Sequence, residues 1–182
     1  MNTQTTQNKY STVAIVLHWV TGLLILGQLT LGLWMIDLPK SPPGLRAGWF
    51  NIHKSLGILI AVLVIVRILW RLTHRPPALP QTLAAWQKKA SHVTHHLLYV
   101  LIVVAPLSGF LSSAHSKYPI KFFGLELPKL FEPDANLKDL FSDIHLVTIW
   151  LLIALITVHI LAALKHRFID KDDIFQRMSV RR

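Results

Sequence analysis

Four long apolar stretches constrain the fold of this chain more strongly than any other feature. They run over about residues 11–36, 52–72, 95–113 and 144–164. A helix of about 20 mostly apolar residues crosses the hydrocarbon core of a bilayer, and each stretch is long enough to do so. Only 15% of the residues are charged, which is well below the level of a typical soluble domain. The sequence therefore predicts an all-α integral membrane protein, a four-helix bundle in which residues 1–182 form a single domain.

The basic residues are distributed unevenly between the two sides of this predicted bundle. Twelve of the 19 lysines and arginines flank the side that carries both chain ends, and seven flank the other side. Basic loops of membrane proteins face the cytoplasm, so we expect both termini to be cytoplasmic. The formal net charge of +10 is then explained by loops next to a lipid bilayer, and no nucleic acid partner is expected.

Four histidines lie within the predicted spans, where an ionisable residue is costly and indicates a function. His18 and His159 share a depth near the cytoplasmic side, and His53 and His145 share a depth near the opposite side. His145 and His159 are 14 residues apart, close to four helical turns, so both project from one face of the last helix. This arrangement predicts two bis-histidine haem sites stacked across the membrane, since a neutral imidazole is a good axial ligand for haem iron.

Zinc transport and a proton relay are the other uses that these histidines allow. Both are disfavoured because the predicted spans contain no Asp or Glu, and zinc is better served by closely spaced carboxylates or thiols. The chain has no cysteine, which excludes iron–sulfur clusters and a haem attached covalently through C-x-x-C-H.

Several short motifs occur in a fixed order along the chain. They are Tyr10-Ser11, Leu17-His18-Trp19, Ile52-His53-Lys54-Ser55-Leu56-Gly57, Val66-Arg67-Ile68-Leu69-Trp70-Arg71-Leu72, His92-x-x-His95 with Tyr99, Pro106 and Gly109, Phe123-Gly124-Leu125, His145 and His159. This ordered set resembles the bacterial di-haem cytochrome b561 family over nearly the whole chain. The resemblance implies two haem b groups and a multi-pass protein of the bacterial inner membrane. It further implies that His18 and His159 ligate the cytoplasmic-side haem iron, and His53 and His145 the periplasmic-side one.

The resemblance is strongest to members of the family that oxidise superoxide. It implies an oxidoreductase that takes electrons from superoxide at the periplasmic side and reduces ubiquinone. An alternative is a cytochrome b subunit that relays electrons between a periplasmic redox protein and the quinone pool. A non-redox metal or proton transporter is the third alternative.

Two arginines lie on the cytoplasmic half of the second span. Arg67 and Arg71 are four residues apart and therefore share a helix face. Arginine binds carboxylates bidentately, so at least one of the two is predicted to contact a haem propionate. Anchoring of the helix by side chains that reach the membrane surface is the alternative.

Further histidines cluster near the cytoplasmic side. His92, His95 and His166 are predicted to line a quinone pocket, because an imidazole with a pKa near 6.5 can donate to a quinone oxygen and carry its protons. A helix cap or a structural hydrogen bond to a propionate is the alternative role for these residues.

The third loop, residues 114–142, is the longest segment on the periplasmic side. Lys117 and Lys121 within it are candidates for steering superoxide, since a positive funnel raises the rate at which an anion is captured. Ordinary solvated loop lysines are the alternative. His74 and His115 are expected on the surface.

Overall fold

A computed structural model describes residues 9–41 and 44–179, and contains four long α-helices. Each is long and apolar enough to cross a membrane, which confirms the predicted all-α membrane four-helix bundle. The helices are α1 (Thr12–Met35), α2 (Leu45–Thr73), α3 (Ala85–Ala114) and α4 (Ala135–Lys165). A short antiparallel hairpin, β1 (Lys121–Phe122) and β2 (Leu125–Glu126), lies between α3 and α4, and a π-helical turn (His166–Asp170) and a 3-10 turn (Phe175–Met178) follow α4.

Each helix packs against the one that follows it in the chain. Because the direction reverses at each connection, the bundle has two distinct ends. The terminal end comprises Tyr10, the α2–α3 connection and the segment that follows α4. The loop end comprises the α1–α2 connection and the α3–α4 connection, which carries the hairpin.

The start of α4 differs from the predicted end of the third loop. The prediction placed residues 135–142 in the loop, but α4 begins at Ala135. The Asp134 carboxylate accepts hydrogen bonds from the backbone N–H groups of Asn136 and Leu137 at 2.8 and 3.1 Å, which is a standard N-cap. Hydropathy missed this first part of the helix because it is polar, and the cap stabilises it outside the apolar stretch.

A small apolar cluster occupies the middle of the bundle, whereas most of the large apolar side chains are exposed on its outer surface. Such exposure is expected of helices that contact lipid, since hydrocarbon tails are as apolar as leucine. The cluster separates the two ends of the bundle and consists of Ile25, Ile60, Val64, Ile102 and Leu152.

At the terminal end, the segment after α4 is fastened to the rest of the bundle. The Trp19 indole N–H donates to the carbonyl of Met178 at 2.8 Å, and the Arg177 guanidinium donates to the carbonyl of Ala78 at 2.7 Å. The backbone N–H of Tyr10 donates to the Arg177 carbonyl at 3.4 Å. The Arg177 residue is only 7% exposed. These bonds connect the start of α1, the α2–α3 connection and the 3-10 turn.

At the loop end, a buried serine fastens the hairpin to α2. The Ser55 hydroxyl lies 2.8 Å from the Asn51 carbonyl and 3.1 Å from the Lys121 carbonyl, and it accepts from the Phe123 N–H at 2.9 Å. Phe123 has a φ of 46° and Gly124 a φ of 94°, so the turn between the strands uses the left-handed region. The hairpin is therefore held close to the histidine of α2.

The surface location predicted for His115 is wrong. This residue is only 8% exposed, and its ring stacks on those of Phe131 and Phe141 with centroids 4.9 and 5.8 Å away. Its Nδ1–H donates to the Leu111 carbonyl at 2.9 Å. His115 thus packs the third loop against α3 and α4, and its position just after an apolar helix did not reveal this contact. His74 is exposed.

Candidate functional site

Three histidines from three helices meet near the terminal end. The ring centroids of His18 (α1) and His159 (α4) are 6.3 Å apart, with an interplanar angle of 63°. His95 of α3 has its ring centroid 5.3 Å from that of His159. All three side chains are half-buried. The predicted pairing of His18 with His159 is thus present as a contact, and His95 joins it.

A second histidine pair lies near the loop end. His53 of α2 and His145 of α4 have ring centroids 6.4 Å apart and an interplanar angle of 88°. His145 Nδ1 lies 2.8 Å from the Ala105 carbonyl. Since a carbonyl only accepts, Nδ1 carries the proton, and Nε2 of the neutral imidazole keeps its lone pair for a metal. A ligating histidine typically donates its other ring N–H in this way.

The spacing within both pairs suits a shared metal. A histidine nitrogen lies about 2 Å from a metal ion that it ligates, so two imidazoles on opposite sides of one metal have ring centroids about 6 Å apart. The observed separations, 6.3 Å for His18 and His159 and 6.4 Å for His53 and His145, agree with this value. The buried Nδ1 atom of His53 has no hydrogen-bond partner in the described part of the chain.

A cavity of about 380 Å³ surrounds the loop-end pair. Its walls are mainly apolar, as suits a flat aromatic cofactor. Two glycines make room for the imidazoles: a Cβ at Gly32 would lie 3.1 Å from His53 Cε1, and a Cβ at Gly109 would lie 3.1 Å from His145 Cε1. The histidines and the apolar cavity together fit a haem with two axial imidazoles.

The predicted arginines point into the terminal-end cluster. Arg67 Nη2 lies 2.9 Å from His18 Nδ1, and the guanidinium carbons of Arg67 and Arg71 lie 5.4 and 5.3 Å from the centroid of the Tyr99 ring. Both arginines are half-buried. The two guanidinium groups therefore lie beside the histidine pair, where carboxylates of a ligand can reach them.

The three predicted quinone residues do not share one environment. His95 contacts His159, and its Nδ1–H donates to the Ser91 carbonyl at 2.6 Å. His92 is exposed. His166 lies in the π-helical turn, with its Nδ1 2.6 Å from Asp172 Oδ2. Of the three, His95 is therefore the one that the fold brings to the histidine cluster.

The two predicted steering lysines lie outside the loop-end cavity. Lys117 is exposed, and Lys121 lies opposite Glu126 in the backbone register of the hairpin. Lys117 lines a separate surface cavity of about 250 Å³ together with Glu126 and Lys129. A different lysine, Lys54, is among the residues that line the loop-end cavity. Sequence reasoning assigned no role to Lys54, although it directly follows a predicted ligand.

Comparisons with known proteins agree with this architecture. Residues 9–179 match the family described as prokaryotic cytochrome b561. Two similar proteins of Escherichia coli (strain K12) are cytochrome b561 homolog 2, 31% identical over 98% of this chain and 95% of the relative, and cytochrome b561 homolog 1, 29% identical over 96% and 99%. The probable superoxide oxidase CybB of Yersinia pestis is 30% identical over 93% of this chain and 95% of the relative. The chain therefore belongs to the prokaryotic cytochrome b561 family of haem b-binding electron-transfer membrane proteins.

Proposed function

We propose that this chain holds two haem b groups, one at each end of the bundle. His18 and His159 would hold the haem at the terminal end, and His53 and His145 would hold the one at the loop end. The observation that carries the proposal is the pair of matching imidazole separations, 6.3 and 6.4 Å. Membership of a haem b-binding family supports it. Bound haem b supplies reversible one-electron transfer.

The chain contributes position, access and charge. Gly32 and Gly109 admit the imidazoles of the loop-end pair. Arg67 and Arg71 place two positive charges at the terminal end, and these favour a reduced site because reduction adds negative charge. Their guanidinium groups are the proposed partners of the carboxylates of the terminal-end haem.

Ligation at the terminal end requires a change at His18. A guanidinium only donates, so His18 Nδ1 is the acceptor in its 2.9 Å contact with Arg67. A metal held through Nε2 would leave the imidazole proton on Nδ1, and Arg67 would then lose its acceptor there.

The proposed reaction takes electrons from superoxide and delivers them to ubiquinone. Each superoxide loses one electron to become O₂, and two electrons with two protons convert ubiquinone to ubiquinol. The name of the Yersinia pestis relative, probable superoxide oxidase, supports superoxide as the donor. The excess of basic residues at the terminal end supports a cytoplasmic location for that end in the inner membrane, and the loop end then faces the periplasm.

In this proposal, specific residues at each end of the bundle interact with the two substrates. Lys117 and Lys121 at the loop end attract superoxide. His95 donates to a quinone oxygen at the terminal end, because it is the candidate that contacts His159. His92 and His166 carry protons to it, and the Asp172 carboxylate lies 2.6 Å from His166 Nδ1.

A relay subunit is the second candidate function, and the third loop favours it. Four large apolar side chains there are more than half exposed, at 78%, 58%, 72% and 62%. An apolar patch of this kind, outside the predicted membrane spans, is suited to docking a periplasmic redox protein. The four residues are Tyr118, Phe123, Leu125 and Leu130.

A superoxide pulse separates the two functions. The oxidised protein in detergent is mixed with superoxide, and the haem absorbance is followed with and without added ubiquinone. We expect reduction near the diffusion limit, followed by reoxidation that depends on quinone. Slow reduction by superoxide in a protein that dithionite reduces normally would contradict the superoxide reaction and favour the relay subunit.

A further inference from the structure

A lysine side chain lines the cavity that surrounds His53 and His145. Lys54 follows His53 on α2 and is half-buried. None of the described residues that line the cavity is acidic, and none of the ion pairs between described residues involves Lys54. A cation in a largely apolar site is costly unless an anion compensates it. An anionic group of a ligand in this cavity would compensate the charge.

Two hydroxyl groups from other helices line the same cavity. Ser112 of α3 and Ser142 of α4 have their Oγ atoms 2.7 Å apart. Ser112 follows Gly109 by three residues, and Ser142 precedes His145 by three residues. Each hydroxyl thus lies about 4.5 Å along its helix from the level of the imidazole, on the side of the loop end. Residues three apart share a helix face, so both serines face the cavity above His145.

The opposite end of the cavity is apolar. It is bounded by Ile25, Ile60, Ile102 and Leu152, which belong to the central apolar cluster. The side-chain amide of Gln28, which also lines the cavity, donates to the His53 carbonyl at 2.6 Å. A carboxylate placed among the four apolar side chains would be desolvated, which is strongly unfavourable. A flat ligand with carboxylates along one edge therefore enters this cavity with that edge toward the loop end.

We propose that Lys54, with the hydroxyl groups of Ser112 and Ser142, binds the propionate carboxylates of the haem b held by His53 and His145. This inference rests on the proposed function. An ammonium group and a hydroxyl group both donate hydrogen bonds to a carboxylate, and the ammonium contact is the stronger because it is charge-assisted. Lys54 is thus a positioning residue, and its charge also stabilises the reduced state of the loop-end site.

The first test is Lys54→Met in the full-length holoprotein, with the two haem midpoint potentials measured by spectroelectrochemical titration. We expect the loop-end potential to fall, with the equilibrium constant for reduction lowered about tenfold, which is 59 mV for one electron. The terminal-end potential stays unchanged. Lys54→Arg, which keeps the charge, retains most of the wild-type potential. Lys40→Met, which removes an exposed cation of the loop end, leaves both potentials unchanged.

The second test asks whether the partner of Lys54 is the carboxylate. Wild-type and Lys54→Met proteins are reconstituted with haem b or with its dimethyl ester, in which both carboxylates are blocked. We expect the loop-end potentials of the two proteins to differ with haem b and to agree with the ester. A difference of the same size with both ligands would overturn the proposal. So would an unchanged potential accompanied by slower reduction by superoxide, because Lys54 would then contact a free anion.

If Lys54→Met retains too little haem for a redox titration, the double variant Ser112→Ala and Ser142→Ala is used in its place. We expect it to release the loop-end haem faster than wild type, measured by transfer to apomyoglobin, and equal release rates would contradict the proposal. The failure of the proposed function gives a different result. If wild-type protein binds a single haem, or if His53→Ala keeps both, the ligand assignment itself is wrong whatever Lys54 does.

Discussion

The histidines of this chain are distinguished by what their Nδ1 atoms contact. His145 directs Nδ1–H to the Ala105 carbonyl, which leaves Nε2 free and fixes the ring direction. His18 Nδ1 instead meets Arg67, and His53 Nδ1 is buried without a described partner. The loop-end pair is therefore ready for a metal on the His145 side, whereas the terminal-end pair has to exchange a contact first.

Alanine substitution of single proposed ligands tests the pairing. We expect His53→Ala or His145→Ala to lose the loop-end haem and keep the other, since an iron with one imidazole is held weakly. His18→Ala is expected to do the reverse. Haem per protein and the number of redox transitions are the measurements. His95→Gln, the matched control from the same cluster, keeps both haems, and loss of a haem in that variant would assign His95 as a ligand instead.

Arg67→Ala tests the electrostatic role of the arginines. We expect the midpoint potential of the terminal-end haem to fall, because a nearby cation stabilises the reduced form. The expected fall corresponds to an equilibrium constant for reduction that is about tenfold smaller. Arg75→Ala, which removes an exposed arginine, is the control and changes nothing. Equal potentials in Arg67→Ala and wild type would mean that Arg67 only anchors the helix.

At the scale of the helices, glycines decide where an imidazole fits between them. A Cβ at Gly109 would lie 3.1 Å from both Cε1 and Nδ1 of His145, whereas a Cβ at Gly27 would meet nothing within 4 Å. The His145 ring cannot easily yield, because its Nδ1–H is bonded to Ala105 of the same helix as Gly109. Close approach of α3 and α4 at the loop end thus depends on Gly109.

Gly109→Ala is therefore expected to weaken haem binding at the loop end. Its measurement is haem occupancy by the reduced-minus-oxidised spectrum, with the terminal-end signal as the internal reference. Gly27→Ala is the control, and it leaves occupancy unchanged while raising helix stability by up to about 1 kcal/mol. Full loop-end occupancy in Gly109→Ala would show that the ring is able to shift.

At the scale of the whole molecule, the bundle is closed at one end by its own C-terminal segment. Arg177 is 7% exposed and donates to Ala78, and Met178 accepts from Trp19. These bonds join segments far apart in the sequence across the terminal end. They tie the start of α1 and the α2–α3 connection to the segment that follows α4.

Arg177→Ala is expected to lower thermal stability. A buried hydrogen bond from a charged group contributes about 1.5–3 kcal/mol, so the Tm of the protein in detergent should fall by several degrees. Arg167→Ala, which removes an exposed arginine of the π-helical turn, is the control and keeps the wild-type Tm. An unchanged Tm in Arg177→Ala would show that the contacts of the Arg177 side chain contribute no stability.

Hydropathy was sufficient to predict four membrane helices, because the thickness of a bilayer sets the length of an apolar span. The depth of a histidine along its helix was sufficient to predict which imidazoles meet, since helices that cross one membrane place equal depths at equal levels. Both inferences use one coordinate, the position along the membrane normal.

The contacts that depend on how each helix is rotated about its axis could be found only from the tertiary structure. Lys54 and His53 are neighbours in sequence, and only the packing of α2 against the other helices places the lysine on the cavity wall. The stacking of His115 on Phe131, and the approach of His95 to His159, likewise depend on how helices and the third loop are rotated and docked. Lipid-facing and protein-facing surfaces are equally apolar here, so the apolar pattern carries no signal of that rotation, and packing alone decides it.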